Sequence, residues 1–372
     1  MVLRMKSFFK MILLFSWGFF ALLVMLTYQN RARSQGPSHR IHTVKNGTQM
    51  KPQTHHASVG LKGSCLVEED VCLLRERNAS YLWYHIRTFE YAINKQCEGK
   101  EKSPYLLVLV ISDPRDPKTR SMYRQTCGSV KAHMGKSIKT MFFVGKTNDS
   151  LVENAIIKES EQYGDIIKID FEDSYKNYTL KTLLAFRWAV DYCPGAEFVF
   201  RCGHDVITNM REIVGYLTRL PPSMRATLFS GFLFTRPGRP HRDPNSKFYQ
   251  SHEQYGPSTY PPFISGFASI FSLGAIKILN SASLNQHLFI EDVYLASLAH
   301  KHGIKLINTG RYFWFMPDIK YEDILRNKCG LLQSFAIHRP PTLAVWKILN
   351  GNLTKEKACK SSIHYKSTKK GQ

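Results

Sequence analysis

The sequence predicts an α/β protein built round a buried, mostly parallel sheet, and three observations carry that expectation. Short runs rich in β-formers recur through the middle of the chain: "YLLVLVIS" (105–112), "TMFFVG" (140–145), "DIIKIDF" (165–171) and "EFVFRC" (197–202). Their near-continuous apolarity is that of strands covered on both faces. Between them lie segments of helical length, "LVENAIIKESEQYG" and "LKTLLAFRWAVDYC", and strands alternating with such helices describe βαβ units. In the second helical segment Leu180, Leu183, Leu184, Trp188 and Tyr192 share one face, the pattern of a helix laid on a sheet.

The N-terminal flank has a different character. "MILLFSWGFFALLVMLTYQN" (11–30) carries no charge over 20 residues, about what a helix needs to cross a bilayer. Arg4, Lys6 and Lys10 precede it, so residues 1–10 are expected as a cytoplasmic tail and 11–30 as an uncleaved signal-anchor of a single-pass type II membrane protein. Residues 31–100 follow as a luminal stem. From Tyr28 to Ser64 there is no acidic residue and no apolar run, a composition that cannot bury a core. A helical patch, "YLWYHIRTFEYAIN" (81–94), closes the stem, and residues 101–372 form the globular luminal domain, ending in a basic polar tail from Lys355.

Five N-x-S/T sequons, at Asn46, Asn78, Asn148, Asn177 and Asn352, agree with a luminal body. Eight cysteines (65, 72, 97, 127, 193, 202, 329, 359) permit disulfides there. Their spacing assigns no pairs and matches no zinc site, and Cys202, inside an apolar run, is expected as a core thiol. The formal charge of +22, from 51 basic and 29 acidic residues, would suit a nucleic-acid binder. The anchor and the sequons exclude that partner; a membrane surface or an anionic sugar nucleotide accounts for the basicity instead.

The familiar phosphate loops and nucleophile motifs are missing: no GxGxxG follows the first strand, and there is no GxxxxGK[ST], GxSxG or HExxH. What remains is "EFVFRCGHDVITN" (197–209), a strand running into Gly203, His204 and Asp205, and an acidic pair, Glu291-Asp292, entering a helix. Open α/β sheets place their sites at the C-terminal ends of strands. A carboxylate there can take the proton of an attacking hydroxyl. Carboxylate and imidazole both suit Mn²⁺, and a divalent cation turns a diphosphate into a leaving group. Each residue also has a plain reading: Asp292 as the acid of a helix first turn, Asp205 as a turn residue, His338 as a loop histidine, Lys181 as a solvated helix residue, Asn177 as a local hydrogen-bonder, and Tyr175, Phe186 and Trp188 as core.

Six blocks, in order, resemble one known family. "SDPRDPKTRSMYRQTCG" resembles its arginine-rich segment, with Cys127 where tryptophan is usual. "DFEDSYKNYTLKTLLAFRWAVDYC" resembles its most recognisable block. "FVFRCGHDVITN" occupies the place of the strand leading into an Asp-Asp-Asp metal motif. "KFYQSHEQYGPSTYPPFISGFASIFS", "EDVYLASLAHKHGI" (with Ala296 for the usual glycine) and "FAIHRPP" complete the series, which spans about Pro104 to Pro341. The chain thus resembles the β1,3-galactosyltransferase and β1,3-N-acetylglucosaminyltransferase family (glycosyltransferase family 31-like), type II proteins of the Golgi.

The resemblance implies a GT-A-like fold, a Rossmann-like nucleotide-binding sheet merged with an acceptor-binding region. It implies an inverting transfer from a UDP-sugar, galactose ahead of N-acetylglucosamine, to the 3-hydroxyl of a glycoprotein or glycolipid glycan at the Golgi membrane. Asp292 would be the catalytic base and Glu291 would orient the acceptor. Asp205 would hold Mn²⁺ with His204 and His338 as further ligands. Arg120 and Arg124 would contact the diphosphate or brace the sheet edge, and Lys247, Phe248 and Tyr249 would line the donor or acceptor pocket. Gly203 and His204 replace two acids of the metal motif, which sets up the alternative of a catalytically inactive transferase-like luminal chaperone or lectin. The survival of Asp205, Glu291, Asp292 and His338 together favours the enzyme.

Overall fold

Six consecutive apolar residues, Leu106–Ile111, are buried at every position, as befits a strand flanked by strands and covered on both faces. In the computed structural model, which describes residues 89–94, 97, 103–236, 238–282, 290–315, 327–338, 345–346 and 348–349, this segment is the centre of the main sheet. The strands are β1 (Tyr91–Ile93), β2 (Leu106–Ile111), β3 (Ala132–His133), β4 (Lys136–Lys146), β5 (Ile166–Glu172), β6 (Phe198–Gly203), β7 (Val206–Thr208), β8 (Phe229–Phe234), β9 (Phe263–Ser272), β10 (Leu306–Asn308), β11 (Phe313–Phe315) and β12 (Ala336–His338). The main sheet runs β1-β5-β4-β2-β6-β9-β8-β10, and β3 pairs with β4 beside it. A small second sheet runs β11-β12-β7.

The strands from β5 to β6 are parallel, while β9 lies antiparallel between β6 and β8. The first crossover helices are α1 (Pro117–Gln125), α2 (Ser150–Tyr163) and α3 (Tyr178–Tyr192). Their ends follow from sequence. Asp116 caps α1 by accepting from the Thr119 amide, with Pro117 in the first turn, and Asp149 caps α2 by accepting from the Leu151 amide. Gly164 ends α2 in the left-handed conformation at φ 65°, which costs a glycine nothing. Helix α3 is buried on almost every side, Leu180, Leu183, Leu184 and Trp188 included. Removing each such side chain from water contributes roughly 1.5–3 kcal/mol.

The winding fixes where a site can form. The chain steps outward from β2 to β4 to β5, then returns through α3 to β6 on the other side of β2. That reversal leaves a crevice beyond the C-terminal ends of β2 and β6, the usual ligand position in such sheets. Gly203 closes β6 at this point, and the His204 amide donates back to the Ile111 carbonyl at 3.1 Å. Antiparallel β9 enters the crevice from the opposite direction, since Cys202 pairs with Ala268. Three further helices complete the part that matters here: α4 (Met210–Thr218), α5 (Pro222–Arg225) and α6 (Leu273–Ser281); the helix α7 (Glu291–Lys301) then points its N-terminus at β9.

The expected tail, the anchor, most of the stem and the sequons at Asn46, Asn78 and Asn352 lie outside the described residues. No helix among the described residues is long and apolar enough to cross a membrane. Three expectations need correction. Residues 91–93 of the supposed helical patch form β1, antiparallel to β5, because Tyr91 finds a partner in the Leu184 carbonyl (2.9 Å) and packs edge-on against Tyr192; residues 81–88 are not described. Lys181 is buried, not solvated: its ammonium donates to the Ser112 carbonyl (2.5 Å) and to Asp173 (2.6 Å). Tyr175, expected as core, is 48% exposed, whereas Phe186 and Trp188 are buried as expected. Cys97 and Cys193 form a disulfide, and Cys202 is a buried free thiol, as is Cys127.

Candidate active site

Arg201 occupies the fourth position of a strand whose every residue is buried, and its side chain is wholly shielded from water. A guanidinium stays charged in such a place only with partners on hand. It finds them at the start of α7. One nitrogen, Nη2, lies 3.1 Å from Glu291 Oε1 and 3.3 Å from Thr182 Oγ1, and Nη1 donates to the Gly266 carbonyl. The Glu291 contact has ion-pair distance without hydrogen-bond geometry, so Oε1 has no hydrogen-bond partner. Burial pushes the Glu291 carboxyl up to about 7, Arg201 working against that rise.

Asp292 sits next to this pair and is held by backbone. Its Oδ2 accepts from the Gly266 amide (3.2 Å) and its Oδ1 from the Val293 amide (2.9 Å). Burial raises its pKa above the ordinary carboxylate range although both amides oppose the shift. Glycine at 266 leaves both acids their room: a Cβ there would stand 3.0 Å from Glu291 Oε2 and 3.3 Å from Asp292 Oδ2, a tight approach. The first turn of a helix favours both acids electrostatically.

Aromatic rings wall this acidic corner. Tyr175 and Tyr178 lie 6.4 Å apart, and Phe248 stands 6.4 Å from Tyr175 on its other side. The Lys247 ammonium rests 4.3 Å from the Tyr175 ring centre and 5.4 Å from that of Phe248. Tyr175 is raised by burial and then by Asp292 and Glu291. On the far side Tyr260 donates to Gln250 (2.7 Å), and burial pushes its hydroxyl up to about 12, Asp292 contributing.

The Gly203-His204-Asp205 turn is built differently. Asp205 Oδ2 is 3.4 Å from His338 Nε2, brought there because His338 pairs with Val206 in the small sheet and its ring stacks on Phe267 at 5.2 Å. A side chain at 203 would place its Cβ 2.8 Å from Asp205 Oδ1, so the carboxylate leans over the glycine. His204 turns the other way: Nε2 lies 3.5 Å from Asp116, and Nδ1 is 3.3 Å from the Ile111 carbonyl. Burial would raise Asp116, but hydrogen bonds from Thr119, and His204 after them, take it below the usual range. On this side a cleft of about 350 Å³ opens between α1 and the turn, lined by Lys118, Thr119, Met122, His204, Asp205 and Val206. Tyr178 joins the two halves: Arg201 lies 5.1 Å over its ring, its hydroxyl faces the Gly203 position at 3.9 Å, and both Glu291 and Asp205 help to raise it after burial.

The structure therefore gathers the sequence-predicted residues into three groups. Glu291 and Asp292 share a corner with Lys247 and Phe248, while Asp205, His338 and, facing away, His204 form the turn. Arg120 and Arg124 belong to neither, and their carboxylate partners come from α2 and the residue before β5. Buried Arg120 takes both oxygens of Glu159 (2.9 and 2.6 Å), and Arg124 binds Asp165 twice at 2.8 Å while stacking on Tyr163. The backbone of Tyr249 is held within its own loop, its amide donating to the Ser246 carbonyl and its strand bridge reaching His241. Sequence reasoning passed over Arg201, Tyr178, Tyr260 and Gly266. A charge inside a six-residue apolar run was the one available signal, and it pointed to Arg201.

With this geometry in hand, comparison with known proteins is informative. The galactosyltransferase family model matches residues 118–310, just over half of the chain. Beta-1,3-galactosyltransferase 1 of Homo sapiens is 34% identical over 231 residues, 62% of this chain and 70% of its own length, and its Mus musculus counterpart matches equally. Beta-1,3-galactosyltransferase 2 of Pongo abelii is 33% identical over 280 residues, 73% of this chain and 64% of its own. A solved glycosyltransferase involved in glycosylation of the major capsid of PBCV-1 aligns at a TM-score of 0.34 and 12% identity over 67% of this chain and 100% of its own, too slight a likeness to argue from. The family model and relatives spanned over 70% of their length agree, and the chain belongs to the galactosyltransferase family.

Proposed function

We propose that the protein transfers galactose from UDP-galactose to the 3-hydroxyl of a glycan acceptor with inversion, as a type II membrane enzyme of the Golgi. The observation that carries the proposal is Asp292, a carboxylate fixed by two backbone amides at a helix N-terminus, raised in pKa and facing an aromatic corner. A base with that anchoring is set to take the acceptor hydroxyl's proton at near-neutral pH. The acceptor oxygen then bonds to the sugar C1, the C1–O bond to the diphosphate breaks, and its electron pair leaves with UDP. Tyr175, Phe248 and Tyr260 offer flat faces for sugar rings, and Glu291 orients the acceptor beside Asp292.

Among the described residues no three His, Cys, Asp or Glu side chains converge on one point. Asp205 and His338, 3.4 Å apart, supply one oxygen and one imidazole nitrogen. That donor pair fits Mn²⁺ completing its shell with diphosphate oxygens and water. Bound there, the cation would neutralise the diphosphate and so make UDP a good leaving group. His204, turned towards Asp116, braces the turn.

The test is transfer by the purified protein in Mn²⁺, with UDP-galactose and UDP-N-acetylglucosamine offered in parallel to β-linked acceptors. Galactose transfer is expected, with Asp292→Asn slowing it on the order of 1,000-fold. Transfer that survives Asp292→Asn overturns the assignment of the base. Absence of transfer from any UDP-sugar favours the chaperone or lectin reading.

A further inference from the structure

The geometry points to Arg201 as the positioning residue of the acidic corner. This one buried guanidinium fixes Glu291 directly and Asp292 through the Gly266 peptide, and so sets where the base stands. Nη1 holds the Gly266 carbonyl while the amide of the same residue donates to Asp292 Oδ2 at 3.2 Å. The carbonyl and the amide of Gly266 flank one Cα, so Arg201 and Asp292 hold the same residue from its two sides; at a glycine, whose torsions are otherwise free, that hold restricts where the amide stands. Nη2 meets Glu291 at 3.1 Å and Thr182 at 3.3 Å, and the planar guanidinium cannot swing towards one without leaving the other.

The arrangement is costly as a stability device. Arg201 and Glu291 are both buried, Arg201 Nε and Glu291 Oε1 lack hydrogen-bond partners, and replacing such a pair by apolar side chains is often neutral or stabilising. An under-satisfied buried charge therefore points to a functional constraint on the corner. Arg201 also lies on the strand that ends in Gly203 and the Asp205 turn, and its guanidinium covers the Tyr178 ring, whose hydroxyl faces that turn. Strand β6 thus carries the positioning cation and, a few residues on, the carboxylate that the Proposed function gives to the metal.

No covalent role is implied, because Arg201 has no access to substrate. Its influence on pH dependence is shared with every group that faces the corner. Arg201 and Cys202 come from β6 and Tyr178 from α3, Glu291 and Asp292 from α7, and Lys247, Tyr175 and Tyr260 from the segments between these elements, with Asp205 acting through Tyr178.

Two readouts test the inference, and only the second rests on the transferase reading. Hydrogen exchange at the Gly266 amide is followed in wild type, Arg201→Lys and Arg201→Gln. Loss of protection at Gly266 by about tenfold or more is expected in Arg201→Gln, with exchange in the β2 and β4 core unchanged; unchanged Gly266 protection overturns the proposal. In the transfer assay Arg201→Gln is expected to lower kcat on the order of 100-fold with the KM for UDP-galactose little changed, and to move the acid limb of the kcat/KM profile to higher pH. Arg201→Lys, which keeps the cation, should restore the limb and part of the rate.

Glu291→Gln and Arg201→Gln/Glu291→Gln close the argument where Arg201→Gln alone unfolds. A double variant equal in rate to Glu291→Gln makes Arg201 a mere counter-ion and overturns the inference, while a further loss on the order of tenfold supports it. If the wild type transfers nothing yet Gly266 protection falls in Arg201→Gln, the positioning role stands and the transferase reading fails.

Discussion

The two ends of the crevice contrast in how they are built. At the α7 end Asp292 holds two backbone amides, Glu291 is buried against a guanidinium, and a glycine gives both room. At the β6 end Asp205 is about one-third exposed, and the His338 and His204 contacts of the turn are 3.4 and 3.5 Å long. The first is buried and anchored by backbone, and the second is more open to solvent. On the proposed function the contrast has a physical sense: a base works best with its place fixed before the substrate arrives, whereas a cation with its diphosphate would bring charge that draws carboxylate and imidazole towards it.

The comparison breaks first at Asp205. Asp205→Ala is expected to raise the Mn²⁺ concentration for half-maximal transfer on the order of 100-fold, with His204→Ala changing it far less; a metal titration giving both variants the same shift would show that His204 turns to the cation. Next comes Gly266→Ala, whose added Cβ meets both carboxylates at 3.0–3.3 Å and must displace them by a few tenths of an ångström. A kcat about tenfold lower with intact donor binding is expected, read by steady-state kinetics and UDP calorimetry; full activity would mean that the corner is more pliant than its anchoring implies.

The smallest effect sharpens the electrostatics. Glu291 is raised to about 7, so the native state binds a proton that the unfolded chain releases near its ordinary 4.5. Its contribution is therefore fully present below pH 4.5 and is lost as pH rises through about 7, a slope on the order of 1 kcal/mol per pH unit. Urea unfolding between pH 5 and 7 should show this decline in wild type and lose it in Glu291→Gln.

Much of this could be read from the chain alone. The four β-rich runs and both helices stand where the pattern put them, because each buries its own apolar face and long periodic segments speak for themselves. Asp292 and Asp205 were visible through their neighbours in sequence. Other features depend on partners far away along the chain. Lys181 looks solvated until Ser112, 69 residues earlier, offers its carbonyl, and residues 91–93 become a strand only because β5 has a free edge to pair with. The pairing of His338 with Asp205, 133 positions apart by their numbers, comes from the register of a three-stranded sheet that no local pattern announces. Arg201 stood out as a charge in an apolar strand, but its role did not, because its counter-charge arrives 90 residues later.

The bridge from Cys97 to Cys193 spans 96 residues, linking the segment after β1 to the end of α3. Closing a loop of that size removes on the order of 4–5 kcal/mol of chain entropy from the unfolded state. Its further consequence lies at the border of the sheet. Strand β1 is only three residues long and holds β5 through an irregular register, so the covalent tie joins the hydrogen bonds of Phe89, Tyr91 and Asn94 to α3 in keeping that cover in place. Released from it, β5 would present a row of unpaired amides and carbonyls to the next molecule, the kind of border on which chains stack. The bridge thus ties the segment that covers the sheet border to the helix packed behind it, a hem as well as a staple.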